Sequence, residues 1–574
     1  MSKTPQFDAL LNTILDELVP HSRTCVDCEN IFTIEKQDIE LLKMLRAPTP
    51  THCPECRQKR RLSFANYSNI YKRKCDVPGH TEIMISPVAP VMPWVTYDYE
   101  TYYSDLWDPK SYGIPLEIEG DFFDQFLSLL KVIPQPGVRR GSDSPNSDFS
   151  FYGKFMKDCY YVFGGRRSED IMYSSSVYFS KHVLDSYYIH TIDTGYNIVI
   201  SNDCYKCTYT YFSSNCIECD FIFDCNNCSN CFGCVNLRNK SYCLFNEQLT
   251  KDEYKKQRAQ IDLGSRAMTK ESEALFWKLV KNNPIRATRN YHSQDVTGNE
   301  VRNSKNCHNV YQVSESENIR HASFAMANVH DSMDLSFGGR AELLYEDENV
   351  GSQSSNVKFS FAVKESTDCE YMMSSSNCSN CFGCIALTNA SYMIFNTQYS
   401  EEEYFQAIDE IKTKMLQKGQ YGEFFPMAFS PCAYNSSFAY LMYPMTEEEI
   451  AQRGLYFQAD TETDLNNFDV ITADDLPDNI TDVSDEICNK VIIGKESGKP
   501  FKLTQREVTF YKQNNICLPD DTPNARMSNR FKLLNNFKVE QEQCFSCGKA
   551  IESSCRTSDG FKPYCEKCYL NEVI

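Results

Sequence analysis

The chain has 574 residues, a formal net charge of −20, 28 cysteines and only nine histidines. That length allows several domains, and no apolar run reaches the roughly 18 to 20 residues that a membrane-spanning helix needs. The acid excess argues against nucleic-acid binding by the whole surface; the few histidines, none in an HExxH motif, argue against His-based hydrolytic metal chemistry.

The first residues, MSKTPQFDALLNTILDELVP, are acidic and amphipathic. They read against a signal peptide and predict a short helix with Phe7, Leu10, Leu11, Ile14 and Leu18 on one face. A cytoplasmic protein with reduced thiols is expected, so metal ligation and buried free thiols explain the cysteines better than disulfides.

Cys25-Val-Asp-Cys28 is followed after 24 residues by Cys53-Pro-Glu-Cys56. Each hook offers two thiolates from a tight turn, and two hooks complete a tetrahedral zinc site. The second hook leads into a predicted helix, so residues 1–75 are expected to form an N-terminal helix and a treble-clef finger holding Zn²⁺ on Cys25, Cys28, Cys53 and Cys56. From Arg46 to Cys75 eight basic residues face the single acid Glu55, a net +7 that leaves −27 for the rest of the chain. Arg57, Lys59, Arg60, Arg61, Lys72, Arg73 and Lys74 are therefore candidate RNA or DNA contacts, with Phe64, Tyr67 and Tyr71 interleaved for base stacking. The alternative is a solvated basic helix face that pairs with the chain's own acids. Residues 76–145 are rich in aromatics, among them Trp94, Tyr97, Tyr99, Tyr102, Tyr103 and Trp107. Packing is their expected role, and a partner-binding patch is the alternative.

A long duplication follows. CSNCFGCVNLRNKSYCLFNEQLTKDEY, Cys228 to Tyr254, recurs 150 residues later as CSNCFGCIALTNASYMIFNTQYSEEEY, Cys378 to Tyr404. The two modules are placed at residues 146–262 and 301–417, joined by a helical connector at 263–300. Within the first, Cys159, Ile171, Val183, Gly195, Cys207, Cys219, Cys231 and Cys243 are twelve residues apart. In the second, Met333, Tyr345, Val357, Cys369, Cys381 and Met393 keep that step, with Cys307 and Ile319 before a two-residue slip. A short fixed period predicts stacked parallel coils, a β-solenoid, in which neighbours bury one continuous column. The coil could hold one twelve-residue unit or two. Thr250-x-x-Glu253 and Ser400-x-x-Glu403 are capping boxes, whose helices would close the open strand edge.

Cys204/Cys207, Cys216/Cys219 and Cys228/Cys231, then Cys234, mimic zinc hooks. At the 150-residue offset, however, Cys204, Cys207 and Cys216 meet Ser354, Val357 and Ser366. Such exchanges favour free packed thiols. Cys228, Cys231, Cys234, Cys378, Cys381 and Cys384 keep cysteine partners and remain candidate ligands of an additional metal. Residues 418–540 read as irregular and partly acidic. At residues 541–574, Cys544-Phe-Ser-Cys547 and, 17 residues on, Cys565-Glu-Lys-Cys568 form a second four-cysteine finger. Two structural Zn²⁺ sites are thus expected, neither with a vacancy for catalysis.

CPECRQKRRLSF, YKRKC, SDLWDPKSYG, the CSNCFGC repeats, PFKLTQREVTFYKQNNICLP and the terminal CFSCGKA…YCEKCYLNEVI together resemble a family of uncharacterised zinc-ribbon proteins with Cys-rich repeats from candidate-phyla-radiation bacteria, with counterparts expected in large DNA viruses. The resemblance spans nearly the whole chain and implies architecture rather than activity. It also implies a second four-cysteine finger starting at YKRKC. Here only Cys75 remains, with Pro78, Asp98 and Thr101 at the partner positions. That finger is expected to be degenerate and to have lost its metal, a weak site on Cys75, His80 and Asp98 being the alternative.

The expected fold is mainly β with helical caps: a duplicated short-period parallel β-solenoid flanked by treble-clef or zinc-ribbon fingers. The expected function is that of a non-enzymatic zinc-binding scaffold or assembly protein. Its basic N-terminal finger would contact nucleic acid, and its solenoid would bind protein partners or a second copy, with no membrane. A structural component, of a virion or another assembly, that binds only protein is one alternative. A carbohydrate- or acyl-transfer enzyme on the solenoid is the other, although no nucleophile motif, carboxylate pair or phosphate loop supports it.

Overall fold

The computed structural model describes residues 2–66, 69–141, 143–460, 464–533 and 537–573. Strands predominate, at 34%, and 13 α-helices occur among the described residues. None of these helices is long and apolar enough to cross a membrane. The chain forms two compact units, each joining distant stretches: Met1–Val138 with Thr288–Gln458, and Arg139–Ala287 with Ala459–Ile574.

Each unit contains one stack of parallel strands. In the second unit Thr208 faces Asp220, Asp220 faces Phe232 and Phe232 faces Leu244, so one coil takes twelve residues. The step between paired strands is thus one twelve-residue unit and not two. Within a coil every third residue is left-handed: Asn197, Ile200, Asp203, Lys206 and Tyr209 have φ between 45° and 53°. The coil therefore has four short sides of three residues. The residue after each corner points inward, and the buried apolar column from Met156 through Cys204, Cys207, Cys216 and Cys219 to Cys243 keeps to that one-in-three register. The Asn and Asp residues that punctuate the sequence suit these corners, because their short polar side chains tolerate the left-handed region best.

The stack in the first unit has the same design, with a register shift at its start between Val296 and Gly298 and two interruptions further along. Cys307 pairs with Ile319 at a step of twelve, but Ile319 pairs with Ser332 and Tyr345 with Lys358 at a step of thirteen. Each extra residue shifts the inward register by one. The two-residue slip is thus two separate insertions, and Leu335, Leu344 and Val357 line the column. Met333 and Tyr345, expected in the column, instead join the hydrophobic cluster outside it. Here the strands Val329–Ser336, Gly339–Glu342, Gly351–Lys358 and Tyr345–Glu348 pair in parallel as a closed ring of four.

Both stacks end alike. A short antiparallel pair, Cys243–Leu244 with Glu247–Gln248 and Met393–Ile394 with Thr397–Gln398, turns the last edge. The helices Lys251–Arg258 and Glu401–Gln417 follow, and both predicted capping boxes form.

The two units also share a second design, legible only once the structure is known. Helix Lys36–Leu45 ends at left-handed Arg46, and helix Gln505–Asn514 ends at left-handed Asn515, 469 residues later. Helix Pro54–Leu62 corresponds in the same way to Pro523–Lys532, as P-x-x-R-x-x-x-R recurs with Arg57 and Arg61 matched by Arg526 and Arg530. The stretch 418–540, expected to be irregular, therefore contains a repeat of the N-terminal helices.

In the first unit Glu370 Oε1 accepts from Lys358 Nζ at 3.0 Å, Lys412 Nζ at 2.9 Å and the Tyr421 hydroxyl at 3.0 Å. Burial works to raise the Glu370 pKa, but the two ammonium groups outweigh it and hold it at about 2. A depressed carboxylate contributes stability above its unfolded value and loses it as pH falls through the folded one. Stability is expected to drop between about pH 4.5 and 2, read by acid titration of the fold. Glu370→Gln should remove that pH dependence and cost about 3 kcal/mol, because it strands buried ammonium groups.

Candidate metal centres

The N-terminal cluster is built by a hairpin and a helix start. Cys25 follows strand His21–Thr24, which pairs with Ile31–Ile34, and Cys53 is the N-cap of helix Pro54–Leu62, its sulfur accepting from the Cys56 backbone N–H. The Cys53 N–H in turn donates to Cys25 Sγ at 3.3 Å. The four sulfurs lie within 4.8 Å of one another, with Cys28 and Cys53 Sγ 3.7 Å apart. A tetrahedral ion with bonds of about 2.3 Å needs sulfurs about 3.8 Å apart, so the donor set fits. The Cys56 thiol and N–H bring Cys53 down to about 5 despite its burial, while Cys56 is raised beside it.

The C-terminal cluster repeats the arrangement. Cys544 follows strand Glu540–Gln543, and Cys565 precedes helix Glu566–Val573. Cys565 N–H donates to Cys544 Sγ at 3.3 Å, and Cys547 and Cys565 Sγ are 4.0 Å apart. Burial pushes Cys544 up, but the N–H groups of Cys565, Cys547 and Ser546 outweigh it and hold the thiol at about 6. The four sulfurs again lie within 4.8 Å, so both clusters could bind a metal ion. The Tyr569 hydroxyl fastens this cluster to the coil stack of its unit: it lies 2.9 Å from Asp224 Oδ2 and 3.0 Å from Asn236 Oδ1 and shares its one proton between them.

The basic residues beside the N-terminal cluster are placed differently from expectation. Arg57, Arg60 and Arg61 are only 1%, 7% and 0% exposed. Arg57 Nε donates to Asp334 at 2.9 Å, and Arg61 Nη1 lies 3.3 Å from Asp334 and 3.0 Å from Glu346. Arg60 bridges Glu346 and Glu423, both at 2.9 Å. These guanidiniums fasten the helix to the strands Val329–Ser336 and Tyr345–Glu348 and are withheld from any phosphate. Lys59 lies 3.8 Å from Asp27, and Arg73 Nη2 3.1 Å from Asp76. Of the seven candidates only Lys72 and Lys74 are exposed. Phe64 is buried against Phe361 and Phe424, Tyr71 bonds Ser436, and Tyr67 lies outside the described residues. The acid partners Asp334, Glu346 and Glu423 had no signal in the sequence, since acids are plentiful throughout the chain. The second unit repeats the device: Arg526 Nε lies 3.0 Å and Arg530 Nη1 3.4 Å from buried Asp185.

Cys228, Cys231, Cys234, Cys378, Cys381 and Cys384 do not join any cluster of converging metal donors among the described residues. Each is an inward residue whose thiol donates to the carbonyl two positions earlier, as Cys231 does to Ser229 at 3.4 Å and Cys384 to Phe382 at 3.3 Å. Their C-x-x-C spacing is the length of one coil side. Serine does the same at column positions, since Ser213 Oγ donates to the Tyr211 carbonyl at 2.9 Å. This shared bond explains why the two modules exchange cysteine for serine. Cys231→Ser is expected to leave the metal content unchanged and to cost no more than about 2 kcal/mol, measured by elemental analysis and chemical denaturation.

No protein-family model matches the chain, and comparison with curated proteins finds none similar.

Proposed function

We propose that the chain is a non-enzymatic scaffold: two parallel β-solenoids, each clamped by treble-clef fingers whose four-cysteine centres hold structural zinc. The burial of Arg57, Arg60 and Arg61 against Asp334, Glu346 and Glu423 carries this reading. It turns the most basic helix of the chain inward as a clamp, where a nucleic-acid reader would present it to solvent. Four thiolates per centre fill the tetrahedron and leave no position for a substrate. The outer faces of the coils carry polar side-chain ladders at the coil period, such as Asn227 to Asn239 at 2.6 Å and Asn306 to Asn318 at 2.8 Å. Repeated surfaces of this kind serve recognition of proteins.

The test is purification of the tagged full chain from its native cells with and without nuclease. A protein partner, or a second copy of the chain, held at fixed stoichiometry after nuclease treatment is expected. Recovery of RNA or DNA alone, released with rising salt, would overturn the scaffold reading and restore the exposed Lys72 and Lys74 as contacts.

A further inference from the structure

The hook-and-helix frame occurs four times among the described residues, and the differences between the four point to a third metal site. In the N-terminal cluster the Cys25 N–H donates to the Asn30 carbonyl, the Val26 N–H to the Thr51 carbonyl and the Cys53 N–H to Cys25 Sγ, at 2.9, 3.3 and 3.3 Å. In the C-terminal cluster the same three bonds run from Cys544 to Lys549, Phe545 to Pro563 and Cys565 to Cys544 Sγ, at 2.8, 2.8 and 3.3 Å. A third frame has Cys75 to Glu82, Asp76 to Thr96 and Asp98 to Cys75 Sγ, at 3.4, 2.9 and 3.3 Å. Asp98 stands where Cys53 and Cys565 stand, as the N-cap of a short helix, Tyr99–Tyr102.

The fourth frame keeps the backbone without the thiols. Gly494 donates to Lys499 and Lys495 to Asp520, both at 2.9 Å, so the backbone is kept. Gly494, Ser497, Thr522 and Ala525 replace Cys25, Cys28, Cys53 and Cys56, each 469 residues on. Asp521 takes the place where a side chain on residue 494 would stand, and it accepts from the Glu496 and Ser497 backbone N–H groups at 2.8 and 3.0 Å.

The Cys75 frame, by contrast, keeps three donors together. Pro78 and Thr101 fall at the positions that Cys28 and Cys56 hold in the N-terminal frame, but His80, two residues beyond Pro78, swings in from the same turn. Cys75 Sγ lies 3.8 Å from His80 Nδ1 and 3.2 Å from Asp98 Oδ2, and His80 Nδ1 lies 3.3 Å from Asp98 Oδ2. A tetrahedral zinc with ordinary Zn–S, Zn–N and Zn–O bonds needs these separations at about 3.6, 3.6 and 3.4 Å.

We propose that Cys75, His80 and Asp98 bind a third divalent ion of the zinc class, with the fourth position open to solvent. Of the two readings that the sequence left for the second finger, the weak site is thereby taken over the metal-free one. On binding, the Cys75 thiol proton leaves, and its contact with Asp98 gives way to two bonds to the ion. One thiolate in place of four, and an exchangeable fourth ligand, make this ion the most labile of the three.

Elemental analysis of the full-length protein purified with zinc should find three ions per chain, falling to two in His80→Ala/Asp98→Asn. His80→Cys should keep three and hold the third more tightly against a competing chelator. It guards against a variant that merely misfolds. Cobalt(II) substitution gives a second readout: the ion lost in the double variant should carry the weak charge-transfer band of a single thiolate. Two ions in the wild type and two in the double variant would overturn the third site and leave the terminal centres standing. Three ions in both would place the third elsewhere and overturn it as well. Fewer than two in the wild type would instead overturn the terminal centres.

Discussion

Arg61→Ala is expected to lower the stability of the first unit by about 3–5 kcal/mol, whereas Lys72→Ala and Lys74→Ala should stay within about 0.5 kcal/mol of the parent. Arg61 is fully buried and contacts both Asp334 and Glu346, themselves fully buried. Removing it leaves the three carboxylates Asp334, Glu346 and Glu423 on two guanidiniums, Arg57 and Arg60, and the excess buried negative charge, rather than the strength of the lost ion pair, dominates the cost. Denaturant unfolding of the full chain, followed by a probe in the first unit, measures it. Glu346→Gln in the Arg61→Ala background should recover part of the loss, because it restores the balance of charge, with Arg57 on Asp334 and Arg60 on Glu423. A nucleic-acid finger would respond the other way: Arg61→Ala would cost affinity for RNA and little stability.

Chelation of the metal is expected to release the N-terminal helix Pro54–Leu62 from its stack. A structural zinc in a small finger contributes about 10–16 kcal/mol of apparent binding free energy, and the hydrophobic cluster around Cys25, Cys53 and Cys56 is small, with Phe32, Ile34 and Ile39 as its other members. Trypsin should then cut at Arg57, Arg60 and Arg61, which are inaccessible in the intact protein. The coil stacks should stay resistant, since their columns hold no converging metal donors among the described residues. Mass spectrometry of the early fragments reads this out. Cleavage first within residues 204–234, with the helix intact, would mean that metal sits in the coils.

The two outcomes test the same division between what spacing reveals and what packing conceals. Both four-cysteine clusters were legible because a tetrahedral ion imposes a local rule, two hooks each with two residues between the thiols. The twelve-residue coil was legible because stacking imposes a period. The same C-x-x-C spacing inside the stacks misled, since a three-residue coil side produces it without any ion. Only the left-handed corners at every third residue tell the two apart. The column positions of Met333 and Tyr345 were misplaced because each single-residue insertion preserves the composition while turning every later side chain to a new face.

By itself the sequence determined the local and periodic features of this protein: the thiol hooks, the duplicated module, the capping boxes and the mean step of the coils. Those depend on residues close in the chain or on a repeat that recurs. The tertiary structure decided which charges face water. Arg57 and Arg61 meet Asp334 and Glu346 across more than 270 residues, and no local pattern distinguishes a buried guanidinium from an exposed one. It also decided that His80 and Asp98 close on Cys75, because what gathers metal donors is the backbone frame around them.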